Sequence, residues 1–336
     1  SHEMVTNSII ARLGLRRTIP SLGEARPPGA ALIRDLFTYD PLERQQIPHN
    51  AQEALRAVNV CRPETAFVFR LRSWWILNEL VSLGRILGRP IRVLDLDDLE
   101  SSYCASMRER GSGVTGREAA LVYRWRERKC IQSERHASRE FDLTLVNSCE
   151  DKDTLCARSP TANVAIAPNS YQFGSKPAIH LPTREQRIVF VGALNYGPNI
   201  EGVRFFANRV MPLLLQHLSE PVYFDIVGAN PSDRVIELTK QQHVSVFPNV
   251  DSVSPYYERA TIAVLPIFFG AGSRIKALEA IAHGLPIVAT ETAMRGLQLQ
   301  PEKHFRQAEA TSDFITTCAD LLSDPERRTN LVEEAW

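Results

Sequence analysis

The sequence lacks paired cysteines. Its six (Cys61, Cys104, Cys130, Cys149, Cys156 and Cys318) are scattered, with no C-x-x-C step and no metal-ligand spacing. That argues against a disulfide-stapled scaffold and a zinc ribbon, and fits reduced, mostly buried thiols in the cytoplasm. No run of 18 apolar residues occurs, so no spanning helix is expected. Net charge is also missing: 39 Lys and Arg balance 39 Asp and Glu, which removes any global electrostatic case for nucleic acid. Repeats and low-complexity tracts are absent, and the opening Ser1-His2-Glu3-Met4 lacks the apolar core of a signal peptide. What is present is 336 residues, 44% hydrophobic and 23% charged, enough for two globular domains with separate cores.

One stretch, from Ala263 to Ala289, organises the rest. A short apolar run stopped by Pro266 suits a buried strand. Gly270 and Gly272 then free the backbone for close approach to a ligand. Ser273 is placed to cap a helix whose apolar positions Ile275, Leu278 and Ala282 recur at helical spacing, and Gly284 and Pro286 end it before a second strand. Strand, glycine loop, helix and strand form the unit of a parallel sheet, with ligands at the carboxyl ends of the strands. A helix start attracts anions, and Arg274 and Lys276 add positive charge there. Lys276, Glu279 and His283, at i, i+3 and i+7, form a polar stripe. Two readings stay open on spacing alone: a phosphate-bearing ligand with hydroxyls one turn away, or tight packing with a solvated Lys/Glu pair.

The motif Gly270-Ala271-Gly272-x-x-x-Lys276-x-Leu278-Glu279-Ala280, followed by Gly284-x-Pro286-x-Val288, resembles the donor-sugar motif of glycosyltransferase family 4. That family comprises retaining enzymes of the GT-B fold. The resemblance covers roughly residues 186–300. It implies two Rossmann-like doubly wound α/β domains facing a cleft, and a nucleotide-diphosphate sugar as donor, with no cofactor and no metal. By resemblance Glu279 holds the ribose hydroxyls, while Gly270, Ala271, Gly272, Ser273, Arg274 and Lys276 lie against the diphosphate. Gly192, Ala193 and Asn195, after the first strand of the second domain, line the donor phosphates. Phe247, Asn249 and Val250 match the turn over the nucleobase. The family pattern usually places a second glutamate where this chain has Ala271, and an arginine–lysine pair where it has Asn195 and Asn199.

Pro20, Pro27, Pro28, Pro41 and Pro48 interrupt the first 55 residues, where Ile9–Leu15 and Ala30–Phe37 read as short helices. Alternation then becomes regular: helix Asn50–Val58, strand Ala66–Leu71, helix Trp74–Ile86 and strand Ile91–Leu96. The strand ends carry Arg70 and Arg72, candidates for the acceptor, and Asp97 and Asp98, candidates for the reacting centre. The bland alternative is that these charges cap helices or pair with one another. Residues 101–115 read as a polar loop and a candidate lid. Gly116–Phe141 reads as one long helix, whose Arg124, Arg126, Arg128, Lys129, Arg135 and Arg139 are either a solvated face or a surface for an anionic acceptor or lipid headgroups.

The expected organisation is an acceptor domain over 1–170, a linker over 171–186 and a donor domain over 187–336. The expected activity is transfer of a hexose-type sugar, with retention, to a glycan or lipid-linked acceptor, in the cytoplasm or peripherally at the inner membrane face. The alternatives are a non-catalytic relative that binds nucleotide or a partner, and a nucleotide-sugar epimerase of the same fold.

Overall fold

The computed structural model describes residues 55–110, 117–171, 173–174, 185–270 and 275–336. The helices expected at Ile9–Leu15 and Ala30–Phe37, and most of Asn50–Val58, lie outside them. Two compact units result, one running to Pro168 and one from Asn169 to Trp336. Among the described residues no helix is long and apolar enough to cross a membrane.

In the first unit, four parallel strands stand in the order β1 (Thr65–Phe69), β2 (Ile91–Asp95), β3 (Leu143–Val146) and β4 (Val164–Ile166). Val68, Leu94 and Val146 meet Trp74 and Leu77 of helix Trp74–Ser82 and Leu155 of helix Cys149–Arg158 in one core. Ser148 caps the latter helix by accepting from the Asp151 amide. The expected loop over residues 101–115 is corrected: Glu100–Arg110 is a helix packed on the long helix Arg117–Glu140. Its buried positions are Ser101 and Cys104 rather than aliphatic residues, so its inward side reads as polar in sequence. Glu134 satisfies that side, accepting from the Ser101 amide at 2.9 Å, the Ser101 hydroxyl at 2.7 Å and Arg158 at 3.1 Å.

The second unit holds a six-stranded parallel sheet in the order β10-β9-β8-β5-β6-β7. The strands are β5 (Gln186–Val191), β6 (Val222–Gly228), β7 (Val244–Pro248), β8 (Ile262–Leu265), β9 (Ile287–Ala289) and β10 (Arg306–Gln307). β8 and β9 are buried at every position, as unbroken apolar runs require when helices cover both faces. Asp225 is the buried charge of β6, and it sits between Arg187 at 3.3 Å and Arg259 at 2.7 Å. Removing either arginine leaves a desolvated carboxylate short of a partner. Helix Ile275–Ala282 lies between β8 and β9. It ends at Gly284, whose φ of 70° lets the Gly284 and Leu285 amides donate back to Ile281 and Ala280.

Burial raises the Glu134 carboxyl from its usual 4.5 to about 7, outweighing the Ser101 and Arg158 donors. The folded chain therefore keeps a proton that the unfolded chain releases. This contribution to stability is complete below the unfolded value and is lost as pH rises through about 7. Melting temperature should fall between about pH 5 and pH 8, and the fall should be shallower in Glu134→Gln. Calorimetry across that range checks this, and parallel curves for the two proteins would exclude Glu134 as the titrating group.

Candidate functional site

In the six-stranded sheet the connections leaving β5 and β8 diverge, because β5 pairs with β6 on one edge and with β8 on the other. Such a switch point opens a crevice at the carboxyl ends of the two strands. After β5 the chain passes Gly192 and Tyr196 into helix Gly197–Phe205, with Pro198 in its first turn. The ends of β5 and β6 come very close. A Cβ on Gly228 would stand 1.8 Å from the Gly192 carbonyl oxygen. After β8, Gly270 has a φ of 111°, and a Cβ there would lie 2.9 Å from Pro198 Cγ and 3.1 Å from Tyr196 Oη. Glycine thus lets the two loops meet.

Tyr196, Asn199, Gly270, Lys276, Ala277 and Thr292 line a pocket at this point. Lys276 passes over Gly192, where an added Cβ would be 2.6 Å from Lys276 Cε. Asn199 is buried and its Nδ2 donates to the Ala193 carbonyl at 2.7 Å. Its Oδ1 is also buried and meets no partner among the described residues. A buried acceptor with that deficit suits a ligand that brings a donor.

One turn beyond Lys276, Glu279 accepts from the Tyr257 hydroxyl at 3.1 Å. The Tyr171 phenol lies near the same carboxylate. Burial first, and the Glu279 carboxylate second, hold both phenols above their ordinary range, Tyr257 well above it. His283 stacks on Tyr257 with ring centroids 4.7 Å apart and planes 12° from parallel. Lys276, Glu279 and His283 are all half-buried, as a polar stripe beside a buried one should be. The buried stripe differs from expectation. Ala277, Ala280 and Ile281 face the sheet, whereas Leu278 is half-buried and Ile275 is 36% exposed. Two alanines on the inner side let the helix sit close to the strands, which turns the larger apolar residues aside.

Other expected donor residues are placed as follows. Ala193 and Asn195 are exposed on the loop after β5. Val250 packs at the edge of the core. Phe247 lies against Tyr256 at 4.8 Å, with Arg259 4.9 Å from its centroid. Asn249 joins two loops, its amide donating to Gly228 and its Oδ1 accepting from the Asn230 amide at 2.8 Å. Ala271, Gly272, Ser273 and Arg274 lie outside the described residues. The sequence pattern did not single out Tyr171, Tyr196 or Tyr257, because they are distant in the chain and follow no motif spacing.

In the first unit, Arg70, Asp97 and Asp98 gather at the carboxyl ends of β1 and β2. Arg70 and Asp97 form an ion pair, and both have positive φ, 65° and 59°. The Arg70 amide donates to the Asp95 carbonyl at 2.6 Å and the Asp97 amide to Asp95 Oδ1 at 2.9 Å, which hold these unusual conformations. Asn147, at the end of β3, donates to Asp98 at 2.6 Å and was not singled out by the sequence. Arg72 belongs to the short turn Leu71–Ser73, and its side chain lies outside the described part.

Residues 185–324 match the family model of glycosyl transferases group 1. No curated protein matches in sequence. Sucrose-phosphate synthase from Thermosynechococcus elongatus has a similar structure, with a TM-score of 0.59 and 16% identity over 81% of this chain and 67% of that one. WaaG, a glycosyltransferase involved in lipopolysaccharide biosynthesis, superposes with a TM-score of 0.55 and 15% identity over 79% of this chain and 76% of its own. The pneumococcal O-GlcNAc transferase GtfA, solved with UDP and GlcNAc, gives a TM-score of 0.55 and 11% identity over 85% of this chain and 55% of that one. These likenesses are of fold: parallel α/β units as found in GT-B glycosyltransferases.

The two close-packed glycines should differ sharply on substitution. Gly228→Ala drives a methyl into backbone and should cost about 3 kcal/mol or prevent folding. Gly192→Ala meets chiefly a flexible lysine end and should cost about 1 kcal/mol or less, while displacing Lys276. Urea unfolding of the two variants measures the difference, and equal costs would contradict the close approach of β5 and β6.

Proposed function

We propose that this chain is a glycosyltransferase that moves a hexose-type sugar, with retention, from a nucleotide-diphosphate sugar to a glycan or lipid-linked acceptor. The observation that carries the reading is the pairing of Lys276 with Glu279 on one helix beside the switch point, inside the segment matched by the family model. Three residues of helix separate a cation from a carboxylate by about 4.5 Å along the axis. A diphosphate and the ribose attached to it present negative charge and hydroxyl donors in that sequence.

In this reading the bond from the anomeric carbon to the diphosphate oxygen breaks. Lys276, Arg274 and the glycine loop that follows β8 receive the developing charge, since the Gly192 and Leu194 amides already donate to Val227 and Ala229. Glu279 holds the ribose and leaves the diphosphate free to depart. The acceptor oxygen joins the same face of the sugar and passes its proton to the departing diphosphate oxygen. The acceptor side is assigned to Arg70 and Arg72, with Asp97 and Asp98 toward the reacting centre. The arrangement uses no metal. Arg124, Arg128, Arg135 and Arg139 are exposed on helix Arg117–Glu140, while Glu127 pairs with Arg108 and Glu134 is buried. That outward cationic face supports work at an anionic membrane surface on the cytoplasmic side. Ala271, at the place of the family's acidic residue, favours as a second reading a nucleotide-binding relative without turnover.

The test is a thermal-shift panel of UDP, GDP, ADP and TDP sugars on the wild type, Lys276→Ala and Glu279→Ala. One nucleotide should raise the melting temperature of the wild type. Each substitution should weaken that ligand about tenfold or more, the equivalent of roughly 1.4 kcal/mol. No shift with any nucleotide would overturn the reading. Sugar transfer to an added acceptor separates the enzyme from its non-catalytic alternative.

A further inference from the structure

Helix Glu100–Arg110 meets helix Arg117–Glu140 through successive rungs that carry no aliphatic pair. The Ser101 hydroxyl donates to Glu134 at 2.7 Å, Cys104 Sγ stands 3.9 Å from Cys130 Sγ, and Arg108 pairs with Glu127 at 2.8 Å. Residue numbers rise along the first helix as they fall along the second. The helices therefore run antiparallel, with each rung about one turn from the next. The thiols occupy the middle rung. Cys104 is 3% exposed and Cys130 is fully buried. The polar rungs on either side fix the register, and Glu134 is tied further to Arg158 at 3.1 Å. Two sulfurs at that separation are in contact, whereas a disulfide holds them about 2 Å apart. Turning a cysteine side chain about its Cα–Cβ bond carries Sγ through more than the difference.

We propose that Cys104 and Cys130 form a reversible disulfide that latches these two helices when the chain meets an oxidising low-molecular-weight disulfide. The latch is independent of the donor-site reading. Exchange starts at Cys104, the thiol with some exposure. Its thiolate attacks one sulfur of the oxidant, whose S–S bond breaks and whose other half leaves and takes up a proton. Cys130 then attacks Cys104 Sγ, the mixed disulfide breaks, and the second half leaves in the same way. Two electrons pass from the cysteines to the oxidant, and the protons that the cysteines lose balance those that the leaving thiolates gain. The closed bond joins positions 26 residues apart, and restraining that loop in the unfolded chain stabilises the folded one. The folded protein accordingly favours the disulfide more than the unfolded chain does. Glu100 follows Asp98 by two residues, so the latch pins the helix that leaves the Arg70, Asp97 and Asp98 cluster.

The experiment equilibrates the whole chain with reduced and oxidised glutathione at several ratios, with and without urea. Free thiols are then alkylated and the peptides mapped by mass spectrometry. In the folded protein a linked Cys104–Cys130 peptide should appear and should vanish with dithiothreitol. It should persist at ratios about tenfold or more toward the reduced side than in urea. The linked protein should melt about 5 °C or more above its own reduced form. Cys104→Ala and Cys130→Ala, each set against its own reduced form, should show neither the peptide nor that rise. Comparing each variant with itself removes any stability lost to the substitution, and the exposed Cys61 and Cys149 take glutathione alike in all three proteins. Three results would each overturn the latch and leave the thiols as packing groups. They are both thiols still open to alkylation at the most oxidising ratio, a link to Cys149 or Cys156 instead, and a link no more favoured in the folded chain than in urea.

Discussion

Because β5 pairs with β6 on one edge and β8 on the other, the chain must leave these two strands in opposite directions, and the space between the departures cannot be filled by either connection. Everything in the candidate site depends on that reversal. The loop from Gly192 to Tyr196 borders it on one side and the loop ending at Gly270 on the other, with helix Ile275–Ala282 bringing Lys276 and Glu279 to its edge. The reversal is itself a product of burial. Strands that are apolar throughout must be covered on both faces, which requires right-handed crossovers and helices on either side.

Close packing and polar chemistry are coupled at this edge. The carbonyl of Gly192 lies where a side chain on Gly228 would stand, so the ends of β5 and β6 approach with no room for a Cβ. Ala277 and Ala280 do the same for the helix behind them. The closeness leaves Asn199 buried with one oxygen unmatched and brings Tyr257 onto Glu279. Well-packed apolar groups thus hold a few polar atoms in fixed directions, as a site must if it is to bind without reorganising.

The first unit shows a related economy. At the ends of β1 and β2 Arg70 pairs with Asp97 and Asp98 accepts from Asn147, with Arg70 and Asp97 in left-handed backbone conformations. Such conformations persist only where neighbours over-determine them, and here the Asp95 carbonyl and carboxylate do so. Glu134 is another case, a carboxyl far from solvent whose donors come from a neighbouring helix and from Arg158.

The parallel strands, the glycine loop, the helix that follows it and its polar stripe were legible because each is written in local spacing. Apolar runs, Gly270, Gly284 and the i, i+3, i+7 placement of Lys276, Glu279 and His283 depend on neighbours a few residues away. What failed was local in appearance and tertiary in cause. Glu100–Arg110 looked like a loop because its inward groups are a serine and a cysteine, and only Glu134 makes that side a buried one. The inward stripe of helix Ile275–Ala282 is Ala277, Ala280 and Ile281, one position off the spacing of Ile275, Leu278 and Ala282, and which stripe turns inward is set by packing on the strands. The sequence alone determined that a parallel α/β unit would present a cation and a carboxylate one turn apart. Only the tertiary structure decided that Tyr257, distant in the chain, would meet that carboxylate, because such contacts are set by how the elements pack.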